Sequence, residues 1–263
     1  MAAPSKTYDG TATAAPTLTI TAGLVGSETV SATGAATFNS KDVATANLVT
    51  VNSTALADGG NGGIASNYSL AAGETVAAGI TAKALTASVA APSKTYDGNT
   101  NAAPTLTITA GLVGGEMVAA TGTATFNSKD VATANLVTVN STALADGSNG
   151  GIASNYSLAA GETVAANIGK AHLTVTADNK SRLYGEANPA LTSTVSGFVN
   201  GETASTAAGF TGAGNATTTA SNTTNVGTAA ITAGAGTLAA SKYDFANLVG
   251  GNLTITARPL AVT

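Results

Sequence analysis

Cysteine and tryptophan are absent from this 263-residue chain, aromatic residues make up 4% of it and charged residues 9%. Without cysteine there is no disulfide framework and no thiolate for metal or nucleophilic chemistry. The same absence suits a long exported chain, which crosses membranes unfolded and must not mispair thiols. Glu, Lys and Arg are too sparse to build the polar faces of amphipathic helices. A net charge of −4 is thinly spread, leaving no basic stripe for phosphate and no polybasic patch for anionic lipid. No run of 18 apolar residues occurs, and Met1-Ala2-Ala3-Pro4 has neither a charged nor an apolar leader region. Nucleic acid and membrane insertion are therefore not expected of these residues.

What is present is Ala, Thr, Gly, Ser, Asn and Val in short alternating runs. Thr17-Leu18-Thr19-Ile20-Thr21 alternates polar and apolar residues, the period of a strand with one wet face. Asn47-Leu48-Val49-Thr50-Val51 and Asn67-Tyr68-Ser69-Leu70 read as further strands. Turns are signalled by Asp9-Gly10, by Asp58-Gly59-Gly60-Asn61-Gly62-Gly63 and by Ala72-Gly73. One short helical turn is expected at residues 199–206. The expected core of the first copy comprises Tyr8, Phe38 and Tyr68 with Leu18, Ile20, Val43, Leu48, Val49, Ile64, Leu70, Val76 and Ile80.

Internal repetition fixes the domain count. Residues 2–80 and 90–168 match at about 70 of 79 positions, and Tyr8/Tyr96, Phe38/Phe126 and Tyr68/Tyr156 are each 88 apart. A diverged third copy places Tyr184 another 88 on, with Gly197-Phe198-Val199-Asn200-Gly201-Glu202 echoing Gly111-Leu112-Val113-Gly114-Gly115-Glu116. A period near 88 is the size of a small domain rather than of a solenoid coil. Expected boundaries are 1–83, 84–171 and 172–258, with 259–263 starting a further strand. The joins at residues 80–89 and 168–177 read as strand and not as flexible linker. The expected fold is all-β: a tandem array of three small sandwich or β-grasp-like domains forming an elongated rod.

Pro4-Ser5-Lys6-Thr7-Tyr8-Asp9-Gly10, repeated as Pro92-Ser93-Lys94-Thr95-Tyr96-Asp97-Gly98, resembles the YDG repeat domain of large bacterial hemagglutinin-like adhesins. The third copy, from Leu183-Tyr184-Gly185-Glu186 to Asn252-Leu253-Thr254-Ile255-Thr256, resembles the MBG domain found beside YDG repeats. The resemblance implies a place in a secreted or cell-surface fibre, next to other domains of the same adhesin, and no chemistry. Tyr8, Asp9, Gly10, Tyr96, Asp97, Gly98, Tyr184 and Gly185 read as a structural motif, a tight turn with a tyrosine anchoring it to the sheet. Because Gly185-Glu186 stands where the second copy has Asp97-Gly98, a turn is favoured over a ligand role for the aspartate.

Other residues offer little chemistry. The Asp58 and Asp146 loops carry one carboxylate each, whereas calcium takes six to eight oxygens. His172 is the only histidine, and a lone histidine in a join is neither a triad nor a metal site. Thr17, Thr19 and Thr21 form no extended array. Nothing singles out an isopeptide triplet around Lys6, and the sequons at Asn52 and Asn140 arise readily in so Thr-rich a chain. No metal, no cofactor and no enzymatic activity are expected. The expected function is a structural spacer of an adhesin. The rival is a module binding polysaccharide or a cell-surface glycan, for which Phe210 and Phe245, unique to the third copy, are the weak candidates. The first copy lacks the leading strand that residues 85–89 give the second. Residues 260–263 resemble such a strand, so weak head-to-tail self-association between molecules is a further expectation.

Overall fold

The structure is a computed structural model in which residues 1–262 are described; Thr263, part of the expected final strand, lies outside the described residues. Nearly all its regular structure is β. The tandem all-β expectation holds. In the first copy the strands Val30–Phe38 and Leu48–Asp58 form a long antiparallel hairpin, flanked by Thr13–Ala14 and Thr75–Ala77. Alternation puts Ala36, Phe38, Val49 and Val51 inside and threonines outside. Counterpart strands recur in the second copy at Val118–Phe126 and Leu136–Asp146. In the third copy the four-stranded sheet comprises Lys180–Leu183, Gly251–Thr256, Gly227–Gly234 and Asn215–Thr217.

A second, three-stranded sheet is organised by the joins. The strand Lys83–Ala90 lies between Thr105–Ala110, antiparallel to it, and Tyr156–Leu158, parallel to it. The strand Ala171–Ala177 does the same between Ser193–Ser196 and Tyr243–Val249. Each join is thus the central strand of the domain that follows it. In the third copy Ala177 of one sheet shares a core with Ile231, Leu253 and Ile255 of the other, a small β-sandwich.

Two compact units divide the chain. One holds Met1–Ala90, Pro104–Thr123 and Val139–Glu162; the other holds Ala91–Ala103, Ala124–Thr138 and Thr163–Thr263. The division cuts through the second repeat, because its residues 104–123 and 139–162 share a core with the first. That core contains Tyr8, Phe38, Val49, Val51, Ile80, Leu85, Val118 and Tyr156.

Several expectations need correction. Residues 17–21 are not a strand in the first copy, beyond one bridge from Thr17 to Ala2, although their counterparts Thr105–Ala110 are. Residues 67–70 are likewise outside any strand, whereas Tyr156–Leu158 is one. The reason is the neighbour: an edge strand forms only where a central strand supplies its hydrogen bonds. Ile64, Leu48 and Leu70 are exposed and do not join the core. At residues 199–206 a turn closed by Glu202 N–H to Val199 O is followed by one helical-type turn, Ala207 N–H to Thr203 O, with no longer helix. The short 3₁₀ turns lie at Ala65–Asn67 and Ala153–Asn155, just before Tyr68 and Tyr156.

Candidate functional site

The Tyr-Asp-Gly segment follows a two-residue strand that runs parallel to the end of its own domain, Lys6–Thr7 beside Ile80–Thr81 and Lys94–Thr95 beside Ile168–Gly169. The aspartate closes the turn. Asp9 Oδ1 accepts from Lys6 Nζ at 2.7 Å and from the Thr11 N–H at 2.9 Å, and Asp97 repeats this with Lys94 and the Asn99 N–H. Burial works to raise both aspartates, but the lysine and backbone bonds outweigh it and hold them below the usual carboxylate range. Gly10 and Gly98 sit at φ +81° and +86°, where a side chain is strained. A Cβ on Gly98 would also stand 2.5 Å from Asn200.

The turn aims its tyrosine into the following copy. Tyr8 Oη donates to Glu116 Oε1 at 2.7 Å, and Tyr156 Oη donates to Glu116 Oε2 at 2.6 Å. The two rings meet edge to face with centroids 5.4 Å apart. The next pair of copies reproduces the geometry: Tyr96 and Tyr243 donate to the two oxygens of Glu202 at 2.7 and 2.6 Å, ring centroids 5.7 Å apart. One carboxylate therefore clasps two tyrosines from successive copies. The loop carrying the glutamate bonds the same hydroxyl from its backbone, since Val113 N–H reaches Tyr156 Oη at 3.1 Å and Val199 N–H reaches Tyr243 Oη at 3.3 Å.

A second latch sits beside the first. Asn155, fully buried, donates to Asp42 Oδ1 at 2.9 Å and accepts the Val43 N–H at 2.8 Å. In the third copy Lys242 holds the same place, forming an ion pair with Asp130 at 2.9 Å and lying 5.0 Å over the Tyr96 ring. Bonding to Asp130 pushes the Lys242 amine up, and Lys41 bonding holds Asp42 low. Burial, reinforced by the glutamates, pushes Tyr156 and Tyr243 up to about 12 and raises Tyr8 and Tyr96 as well. Glu202 is pulled the other way: burial raises it, but its two tyrosine bonds prevail and hold it low.

The motif residues thus act as a joint: Tyr8 shares a core with Phe38 and Val49 of its own copy and also bonds Glu116 and meets Tyr156 of the next. Tyr184 is exposed; its backbone N–H bonds to Thr256 O, and Glu186 Oε2 receives the N–H of Leu183 before it, whereas Asp9 and Asp97 receive the N–H two residues after them. Phe210 and Phe245 are half-buried and pack edge to face in a chain with Phe198 and Tyr243. His172, read as partnerless from its spacing, has its Nδ1 2.6 Å from Asp244 Oδ1. Asp58 and Asp146 each accept a backbone N–H, from Ala65 and Ala153, and so close their own glycine loops. Among the described residues no three His, Asp or Glu side chains are grouped to hold a metal, and no helix is long and apolar enough to cross a membrane.

Glu116, Glu202, Asn155 and Lys242 were not singled out from sequence. The signal was available: Glu28, Glu116 and Glu202 each stand about 40 residues before Tyr68, Tyr156 and Tyr243. Nothing in that spacing tells that the second partner lies 108 residues upstream, as Tyr8 does from Glu116.

The family model described as the YDG domain matches residues 1–76 and 81–165, and that described as the MBG domain (YGX type) matches residues 173–254. No curated protein and no solved structure matches the chain.

Proposed function

Because the chain belongs to the YDG domain family and continues into an MBG domain, we propose that it is a spacer segment of a bacterial surface or secreted adhesin. Its task in this reading is mechanical: to carry a distal binding domain away from the cell, with no enzymatic activity of its own. The observation that carries the reading is the joint. The same tyrosine–glutamate–tyrosine clasp recurs at Glu116 and Glu202, between each pair of successive copies. A clasp built from residues of the repeat itself lets domains be added in series without new chemistry at each step. The joins support it too, because each is a central strand of the next domain and lacks the freedom of a Gly/Ser linker.

Small-angle scattering tests the spacer. Three domains in series, each advancing the chain by about 35 to 40 Å, give a radius of gyration near 30 Å. A compact chain of this size would give roughly 18 Å, and that result would end the spacer reading.

The glycan-binding alternative draws on one feature, the half-buried Phe198, Phe210 and Phe245 cluster found only in the third copy. Aromatic faces of that kind can stack on sugars. Micromolar binding on a glycan array, lost in Phe210→Ala, would favour it over the spacer.

A further inference from the structure

With cysteine and tryptophan absent, the six tyrosines are the side chains of this sequence that most readily give up one electron. Four of them form two pairs, Tyr8 with Tyr156 and Tyr96 with Tyr243, and each pair joins residues of successive copies. Tyr68 and Tyr184 meet no second aromatic ring among the described residues and are the more exposed. In each pair both hydroxyls converge on the two oxygens of one carboxylate, at 2.7 and 2.6 Å, so the phenol ends of the rings are held side by side. The rings are buried, but Glu116 and Glu202, which receive the phenolic hydrogens, are only half-buried. A phenol loses an electron more readily when its proton leaves at the same time, and a hydrogen-bonded carboxylate in reach of water is placed to take that proton.

We propose that Tyr8 and Tyr156 are a site of oxidative cross-linking, at which the clasp becomes a covalent dityrosine staple between successive copies, with Tyr96 and Tyr243 as a second, slower site. The oxidant is a diffusible one-electron acceptor, of the kind that a haem peroxidase generates from hydrogen peroxide, and each link consumes two equivalents. Each tyrosine gives one electron to the oxidant and its hydroxyl proton to Glu116, which passes that proton to water before the next arrives. The two neutral radicals form one carbon–carbon bond between ring positions ortho to oxygen. The hydrogens on those carbons then move to the oxygens as both rings regain aromaticity, so the chain has lost two hydrogens in all. The oxidant need not touch the rings, because the electron leaves by transfer through the protein while the proton leaves through the glutamate. At the second site Lys242 Nζ lies 3.3 Å from Tyr96 Oη and 5.0 Å over its ring, and a cation so close opposes electron loss. The nearest cation over the Tyr8 ring, Lys41, is 5.9 Å away.

The test is oxidation of the full chain by photogenerated tris-bipyridyl ruthenium(III), a diffusible one-electron acceptor, in solution dilute enough to suppress coupling between molecules. The product is a monomer lighter by two hydrogens per link, with dityrosine fluorescence. On proteolysis, the peptide linking Tyr8 to Tyr156 is at least about tenfold more abundant than any link through Tyr68 or Tyr184, the advantage of two groups already held together. Tyr156→Phe keeps the ring and abolishes the first link while leaving the second. Glu116→Gln keeps the side-chain shape but cannot take a phenolic proton, and it slows the first link by about tenfold or more with the second unchanged. If Glu116→Gln loses its β-sheet circular dichroism, Tyr156→Phe and the peptide map still decide the matter. Four results would each overturn the proposal: oxidation that yields no Tyr8–Tyr156 peptide, links through Tyr68 or Tyr184 as abundant as that one, a second site that reacts ahead of the first, or a folded Glu116→Gln chain that cross-links at the unaltered rate. None of them bears on the radius of gyration, so the spacer reading stands or falls separately.

Discussion

Tyr68 and Tyr156 sit in the same sequence, Ala-Ser-Asn-Tyr-Ser-Leu, follow the same 3₁₀ turn and bond a glutamate in the same way. One ring is half-exposed and the other 5% exposed. The difference is made by Tyr8 and Asp42 of the first copy and by the join strand Lys83–Ala90, which has no counterpart beside Tyr68. It teaches that a domain of this kind is finished from outside its own core: one tyrosine partner and one aspartate latch belong to the copy before it, and its central strand is the join between them. The carboxylate that bridges two tyrosines is therefore worth more in the second copy than in the first.

The largest contrast is expected from removing that carboxylate. Glu116→Ala leaves the hydroxyls of Tyr8 and Tyr156 buried without their partner, at about 1 to 3 kcal/mol each, so urea unfolding should register a loss of about 3 kcal/mol or more. Glu28→Ala, with one half-exposed tyrosine to lose, should cost about 1 kcal/mol or less. Equal losses would erase the distinction between the two copies.

Amide exchange sharpens the same comparison. Residues 17–22 lack the ladder that Thr105–Ala110 makes with Lys83–Ala90, so they should exchange about a hundredfold faster despite nearly identical sequence. Matching rates would mean that the central strand adds no protection.

Alkaline pH probes the joints themselves. Tyr156 and Tyr243 ionise at about 12 in the folded chain against an ordinary 10. Their folded values lie above the unfolded one, so the stabilisation is complete below pH 10 and is lost as pH rises through 12. Each contributes about 2 to 3 kcal/mol over that window. Absorbance at about 295 nm should show these two phenolates appearing late and together with loss of β-sheet circular dichroism. Ionisation of all six tyrosines in one step near 10 would contradict this.

The smallest effect separates a joined turn from a free one. Gly98→Ala and Gly185→Ala both force a side chain into positive φ, at about 1 kcal/mol, but only Gly98 has Asn200 within 2.5 Å of the new Cβ, while Gly185 has nothing nearer than Arg258 at 3.6 Å. Gly98→Ala should lower the melting temperature by several degrees more than Gly185→Ala.

The family resemblance, the repeat, the all-β class and the turn role of Asp9 and Gly10 were readable because each depends on residues close in the chain or identical at a fixed period. The joint was not. Its tyrosine was read as an anchor to its own sheet, and its glutamate as a family marker, because the partners of Glu116 lie 40 residues ahead of it and 108 residues behind. The strands expected at residues 17–21 and 67–70 failed for the same reason: alternation gives a segment a face to bury but not a neighbour to bond. Sequence by itself determined the copy number and the glycine turns, which follow from the fixed period and from short-range sterics. Only the tertiary structure decided which tyrosines are buried, which carboxylates hold two of them, and which identical segments become strands, because burial and pairing are properties of what another copy brings, and two segments of one sequence can differ in nothing else.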